Sequence, residues 1–163
     1  MKYMAPVVFS ALLALSVSAR AQDKTNVSGE DPLLGTWYLN VSKSTYRPGP
    51  PPRSQTRSYE KHQFGIRATV KTIHADGRST TVQSVYDYDK QEHPVTGSED
   101  VDAIEVTRTN TYTHEATLLH AGLEVGTFRR EISKDGKQMT VTLRRRTPAV
   151  DNVEVYEKGV DDR

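Results

Sequence analysis

Residues 124–146 read EVGTFRREISKDGKQMTVTLRRR, two runs of alternating apolar and polar side chains that meet at Asp135-Gly136. Asp-Gly between such runs marks a tight β-hairpin. With Asp135 and Gly136 at the centre of the turn, Ile132 falls opposite Met139, Arg130 opposite Val141 and Phe128 opposite Leu143. A slip of one residue would turn every side chain to the other face, so this register defines one apolar face with a guanidinium, Arg130, in its middle.

The same cadence runs outward from the hairpin. From Phe64 onward, turn signals recur about every dozen residues, at Asp76-Gly77, Gly97-Ser98, Asn110 and Gly122, and hardly any stretch between them has helical spacing. A three-residue loop, Ala75-Asp76-Gly77 with Gly77 left-handed, pairs Val70 with Val82, Ile66 with Tyr86 and Phe64 with Tyr88. A two-residue loop would set Val70 against Gln83 and Ile66 against Asp87, so the longer loop is preferred. Loops at Thr109-Asn110-Thr111 and Ala121-Gly122-Leu123 put Ile104, Val106, Tyr112, His114, Ala116, Leu118 and Phe128 on the shared inner face, with His114 directly opposite Arg130. Strands are expected near 34–39, 55–61, 65–73, 79–88, 101–108, 112–119, 124–133, 138–146 and 152–157. His93 and Pro94 read as loop, and Pro48-Gly49-Pro50-Pro51-Pro52 as a stiff exposed crossover. The expected fold is all-β: an antiparallel up-and-down meander of about eight to ten strands that closes into a barrel or a strongly curved sheet, because closure removes the two unpaired edges.

Lys2, the apolar run from Ala5 to Val17 and Ala19-Arg20-Ala21 before Gln22 describe a secretory signal peptide over residues 1–21. That run is too short to span a bilayer comfortably and no second hydrophobic segment follows, so membrane insertion is not expected. The chain has no cysteine, which excludes both disulfides and a lipid-modified cysteine anchor. A free exported protein, periplasmic or secreted, is the expectation. Its parts are a flexible leader at 22–32, a barrel domain at 33–157 and a polar tail at 158–163. Loss of residues 1–21 removes Lys2 and Arg20 and no acid, turning a formal charge of +1 into −1. Such balance argues against nucleic acid as a partner. The N-x-S sequons at Asn26 and Asn40 matter only where exported proteins are glycosylated.

Chemistry is expected inside the barrel. The inner face carries Arg130, His114 and Tyr112, with Arg108 and Arg145 in line nearer its ends. A barrel of this strand count is either just filled by side chains or holds one small ligand. A buried guanidinium must be paired, since leaving it alone costs several kcal/mol. In one reading Arg130, helped by His114 and Tyr112, awaits the carboxylate or other anion of an amphipathic ligand. In the other, Asp102 or a backbone carbonyl satisfies Arg130 and the barrel is a filled structural or protein-interaction module. Arg129, Arg144 and Arg146 fall outside, where Glu131 and Glu124 screen them.

No metal, cofactor or catalytic residue is expected. The five histidines lack metal-site spacing, and no His-x-His, HExxH or G-x-S-x-G motif occurs. The acids Glu99, Asp100 and Asp102 cluster in a turn, where carboxylates are usually solvated. An enzyme would need carboxylates converging in a cleft.

Gly35-Thr36-Trp37 resembles the G-x-W signature with which lipocalins open their barrel, the Trp closing its base. Together with Leu39-Asn40, Lys43-Ser44, Pro48-Gly49-Pro50, Pro94-Val95-Thr96-Gly97, Ser133-Lys134-Asp135-Gly136-Lys137, Met139-Thr140-Val141 and Val155-Tyr156-Glu157-Lys158, it is similar to the small exported lipocalin-like proteins of bacteria. The T-D-Y signature and the disulfide of typical lipocalins are not evident. The resemblance implies a late arginine packed across the Trp. Arg145 is its stand-in here, or Arg144 if a bulge intervenes, with cation-π contact to Trp37. By analogy of fold it also implies a small-hydrophobic-ligand role, and with the inner-face residues already read from the register the expected binding set is Trp37, Tyr112, His114, Arg130 and Arg145.

Overall fold

Ten strands, linked without crossovers, close on themselves in a computed structural model that describes residues 30–159. They are β1 Gly35–Leu39, β2 Ser54–His62, β3 Gly65–Ile73, β4 Ser79–Tyr86, β5 His93–Thr96, β6 Ala103–Asn110, β7 Thr113–His120, β8 Leu123–Ile132, β9 Gln138–Arg146 and β10 Ala149–Lys158. Every neighbouring pair is antiparallel, and β1 joins β10 to complete an up-and-down barrel. The signal peptide read at 1–21, and Asn26 with it, lie outside the described residues.

Turn chemistry sets the registers. At Asp135-Gly136 the pairs Ile132 with Met139, Arg130 with Val141 and Phe128 with Leu143 form as the alternation requires. Gly77, at φ +91°, closes the three-residue loop that sets Val70 against Val82 and Ile66 against Tyr86. Between β7 and β8 the turn is shorter than expected: Ala121 and Gly122 both have positive φ, +52° and +74°, the backbone of a two-residue hairpin turn. A bulge between Leu118 and Leu119 restores the lost residue, so His114 still lies opposite Arg130.

Three expectations need correction. The β6–β7 turn is Thr111-Tyr112, because the Asn110 side chain accepts the Tyr112 amide at 2.9 Å and draws the turn two residues on. Arg108 therefore pairs with His114, and Tyr112 leaves the inner wall for the turn. Phe64 is 70 % exposed and does not meet Tyr88, because it sits in the Gln63-Phe64 turn that precedes β3 and β4 ends at Tyr86. His93–Thr96 is a strand, held by two residue pairs on each side and by Ser84 Oγ donating to the Pro94 carbonyl at 2.9 Å. A four-residue run containing proline has too little alternation to announce itself.

Close approach fixes the exit from this short strand. Gly97 has φ +80°, and a Cβ there would stand 1.9 Å from the Thr81 carbonyl oxygen. Gly97→Ala is expected to cost at least about 2 kcal/mol in urea unfolding. Gly122→Ala, at φ +74° with nothing within 4 Å of its added Cβ, is expected to cost far less. Equal losses would contradict the tight β4–β5 contact.

The hydrophobic core sits at one end of the barrel, its base. Leu33, Trp37, Val106, Ile132, Met139 and Val141 are buried there together. Trp37 Nε1 donates to the Leu33 carbonyl at 2.8 Å, so Leu33, just before β1, helps plug the base. Asp31 takes part as well, receiving the Tyr88 hydroxyl at 3.1 Å and standing 3.5 Å from Arg108. At the other terminus Lys158 is the last residue of β10, and Gly159 donates to the Thr36 carbonyl at 2.8 Å, so the ladder extends into the segment read as tail.

Candidate functional site

Above the base the barrel is hollow. A cavity of about 440 Å³ opens between the β3–β4 turn and the β5–β6 loop, space for roughly fifteen waters at ~30 Å³ each. Its floor is Tyr59 from β2, Tyr86 from β4 and Arg130 from β8. Its middle wall is apolar, built by Val70, Val82, Ile104, Leu118, Phe128 and Leu143. Polar and charged side chains ring the mouth, among them Gln55, His74, Arg78, Asp100 and Arg145.

Arg130 is 1 % exposed, yet no carboxylate among the described residues pairs with it. Its neighbours are neutral: Nη2 donates to the Tyr86 hydroxyl at 3.2 Å and Nε to His114 Nδ1 at 3.4 Å. The guanidinium carbon also lies 4.8 Å from the Tyr59 ring centre and 5.7 Å from that of Phe128. Asp102, the partner considered from sequence, is half-exposed on the β5–β6 loop and takes the Ala121 amide at 2.8 Å instead.

The Arg130 charge favours ionisation of both floor phenols, yet they shift in opposite directions. Burial works to raise Tyr59, but the guanidiniums of Arg130 and Arg57 outweigh it and hold the phenol below its ordinary value. For Tyr86, burial wins over Arg130 and the phenol is raised.

His114 lies beside Arg130, directly opposite it across the β7–β8 pair. It is fully buried, stacks on Tyr88 at 5.1 Å between ring centres, and does not line the cavity. Accepting from Arg130 leaves its proton on Nε2, which has no partner among the described residues. Burial first, then the charges of Arg130 and Arg108, push the imidazole down to about 3. Between that value and the ordinary 6.5, the unfolded chain binds a proton that the folded chain refuses, so stability falls as pH drops through this window. By pH 4.5 the loss attributable to His114 is expected to reach about 3 kcal/mol, at ~1.36 kcal/mol per unit. Urea unfolding from pH 7 to 4.5 should therefore be steeper in pH for the native chain than for His114→Asn; parallel curves would contradict the assignment.

The other expected residues are scattered. Trp37 belongs to the base, and the cation over its ring is Lys158, 5.1 Å from the ring centre. Arg145 cannot serve there. It lies six residues along β9 from Met139, a base residue, roughly 20 Å at strand rise. Arg145 stands at the mouth, 3.0 Å from Asp100. Tyr112, in the base-end turn, does not line the cavity.

Sequence reasoning missed the β2 wall. Arg57 Nε donates to the Tyr156 hydroxyl at 2.8 Å and its Nη2 meets Glu154 Oε2 at 3.0 Å, a buried ion pair reinforced by Tyr156 donating to the same carboxylate at 2.5 Å. Gln55 contacts the same hydroxyl and donates to Thr72 Oγ1 at 2.8 Å. The signal was present: alternation in SQTRSYEKH puts Gln55, Arg57 and Tyr59 on one face. A two-residue turn at Gln63-Phe64 sets that face against Ala68 and Val70.

A wider depression of about 620 Å³ crosses the outer surface of β6 to β9 between Lys90, Glu105, Glu115, Arg129 and Arg144. Its ion pairs, Arg129 with Glu115 at 2.7 Å and with Glu131 at 3.0 Å, are half-exposed and contribute little. Among the described residues no group of three or more His, Asp and Glu is placed to hold a metal ion. Neither a protein-family model nor a curated protein matches this chain.

Proposed function

We propose that this chain is an exported binding protein that holds one small amphipathic or anionic molecule inside its barrel. One observation carries the reading. Four arginines line the cavity, and three have a carboxylate near: Arg57 has Glu154 at 3.0 Å, Arg145 has Asp100 at 3.0 Å and Arg78 has Asp76 at 3.9 Å. Arg130, the deepest, has none among the described residues. A charge left this way in a low-dielectric interior costs several kcal/mol, and an anion entering the cavity offsets that cost with charge-assisted hydrogen bonds.

Size and lining fit the same role. About 440 Å³ with an apolar wall and a few convergent polar groups lies within the range of small-molecule sites. Export is supported by the signal-like residues 1–21, and the lipocalin-like resemblance, carried by Gly35-Thr36-Trp37 and the motifs after it, points to binding rather than catalysis. The alternative, a filled barrel with a structural or protein-interaction role, needs side chains where this hollow lies.

Native mass spectrometry of the chain purified from its own source tests the proposal. The expected result is a small-molecule mass increment that disappears in Arg130→Met. A bare mass in the gentlest spray conditions, together with no shift in melting temperature across a panel of small organic anions, would sink it.

A further inference from the structure

Resting on the cavity reading above, we infer that the ligand has one singly charged anionic head and one apolar tail, and that it enters head first. The cavity is stratified along its axis. Arg130 with Tyr59 and Tyr86 forms the floor, the six apolar side chains of the middle wall follow, and Gln55, His74, Arg78, Asp100 and Arg145 ring the mouth. Strand pairing fixes this order: on β2 the inner residues rise from Tyr59 through Arg57 to Gln55, opposite Ala68, Val70 and Thr72 of β3.

Charge decides which end of an amphiphile goes down. The one cavity guanidinium without a carboxylate among the described residues is at the bottom, whereas Arg57, Arg78 and Arg145 above it each have one near, Glu154, Asp76 and Asp100. An anionic head left at the mouth would compete with Asp100 for Arg145 and would leave Arg130 bare. The same accounting limits the head to one charge, because a second would find no free cation at the floor. A carboxylate suits the fork geometry of the guanidinium and can also accept from the floor phenols.

Depth sets the tail. Four residues separate Tyr59 from Gln55 on β2, roughly 13 Å along the strand and about 10 Å along the axis at the usual barrel tilt. A medium-length alkyl or aryl-alkyl chain crosses the apolar layer and brings its far end to the polar mouth.

Calorimetric titration of the full mature chain with four probes tests this. Decanoate is expected to bind about ten- to a hundredfold more tightly than its methyl ester, the margin of one or two charge-assisted hydrogen bonds. An undecanoate carrying a dansyl group on its terminal carbon is expected to bind within a few-fold of decanoate, since that end emerges at the mouth. Decyl phosphate, which carries up to a second charge near neutral pH, is expected to bind more weakly than decanoate.

Equal affinity of acid and ester, or exclusion of the end-labelled acid, would overturn the head-first orientation while the binding role stands. Tighter binding of decyl phosphate would overturn the single-charge rule alone. If none of the four binds, the binding role falls with the inference. All four measurements use the native sequence, so none depends on whether a variant folds.

Discussion

Replacing Arg130 with methionine is expected to lower affinity for decanoate by about ten- to a hundredfold while leaving the empty barrel at least as stable as the native chain. The sign of the stability change follows from competing magnitudes. Methionine forfeits the hydrogen bonds to Tyr86 and His114, each worth about 1 kcal/mol net. It also forfeits the packing of the guanidinium on Tyr59 and Phe128, a cation-π term of up to about 2 kcal/mol. Against these stands the burial of a charge with no counter-charge among the described residues, several kcal/mol. The charge term wins or nearly balances, so urea unfolding should place the variant from about 0 to 2 kcal/mol above the native chain. A loss of more than about 3 kcal/mol with unchanged anion affinity would make Arg130 a structural residue.

The opposite outcome is expected on the neighbouring wall. Glu154 is the counter-charge of Arg57, both side chains are largely buried, and Tyr156 donates to the same carboxylate. Burial and Glu154 hold the Tyr156 phenol well above its ordinary value, so it remains a neutral donor. Glu154→Ala strands the Arg57 charge and leaves the Tyr156 hydroxyl without that acceptor, for an expected loss of about 3–5 kcal/mol. The double variant Arg57→Met with Glu154→Leu should recover most of it, because replacing a whole buried pair with apolar groups is often neutral. Chemical denaturation of the two variants decides the matter. A single variant no less stable than the double would contradict the pairing.

The contrast between Arg57 and Arg130 is the core of the account. Both guanidiniums face the same cavity, and both have a phenol near and an aromatic face at about 5 Å. What differs is a carboxylate, present for one and absent among the described residues for the other. Two buried cations of one barrel thus have different fates, one fixed into the wall and one available to a ligand.

Legibility in the sequence followed the range of the interactions. Local turn chemistry was readable: Asp135-Gly136 and Ala75-Asp76-Gly77 set β8–β9 and β3–β4, and those registers place Arg130, Leu143, Val70, Val82 and Tyr86 on the inner wall. Where a side chain competes for the turn, the reading slipped. Asn110 captures the Tyr112 amide and moves the β6–β7 turn, which takes Tyr112 out of the site without changing the face of His114.

Height along the axis was not readable from alternation, which reports face but not depth. Trp37, His114 and Arg145 all point inward, but the first two do not line the cavity and the third stands at its mouth. Only ring closure, with β1 pairing β10, brings Lys158 over Trp37 and Glu154 to Arg57. Those contacts span about a hundred residues of sequence or more, and no local pattern encodes them.

The carboxyl carbon of the ligand reports most directly on whether Arg130 is an anion receptor. In an NMR titration of the native chain with carboxyl-13C decanoate, the bound resonance is expected to stay at the carboxylate position as pH falls well below ~4.3, the ordinary range, because a guanidinium partner favours the ionised form. Burial without that partner acts in the reverse direction. A bound carboxyl that protonates at or above its ordinary value would contradict the account.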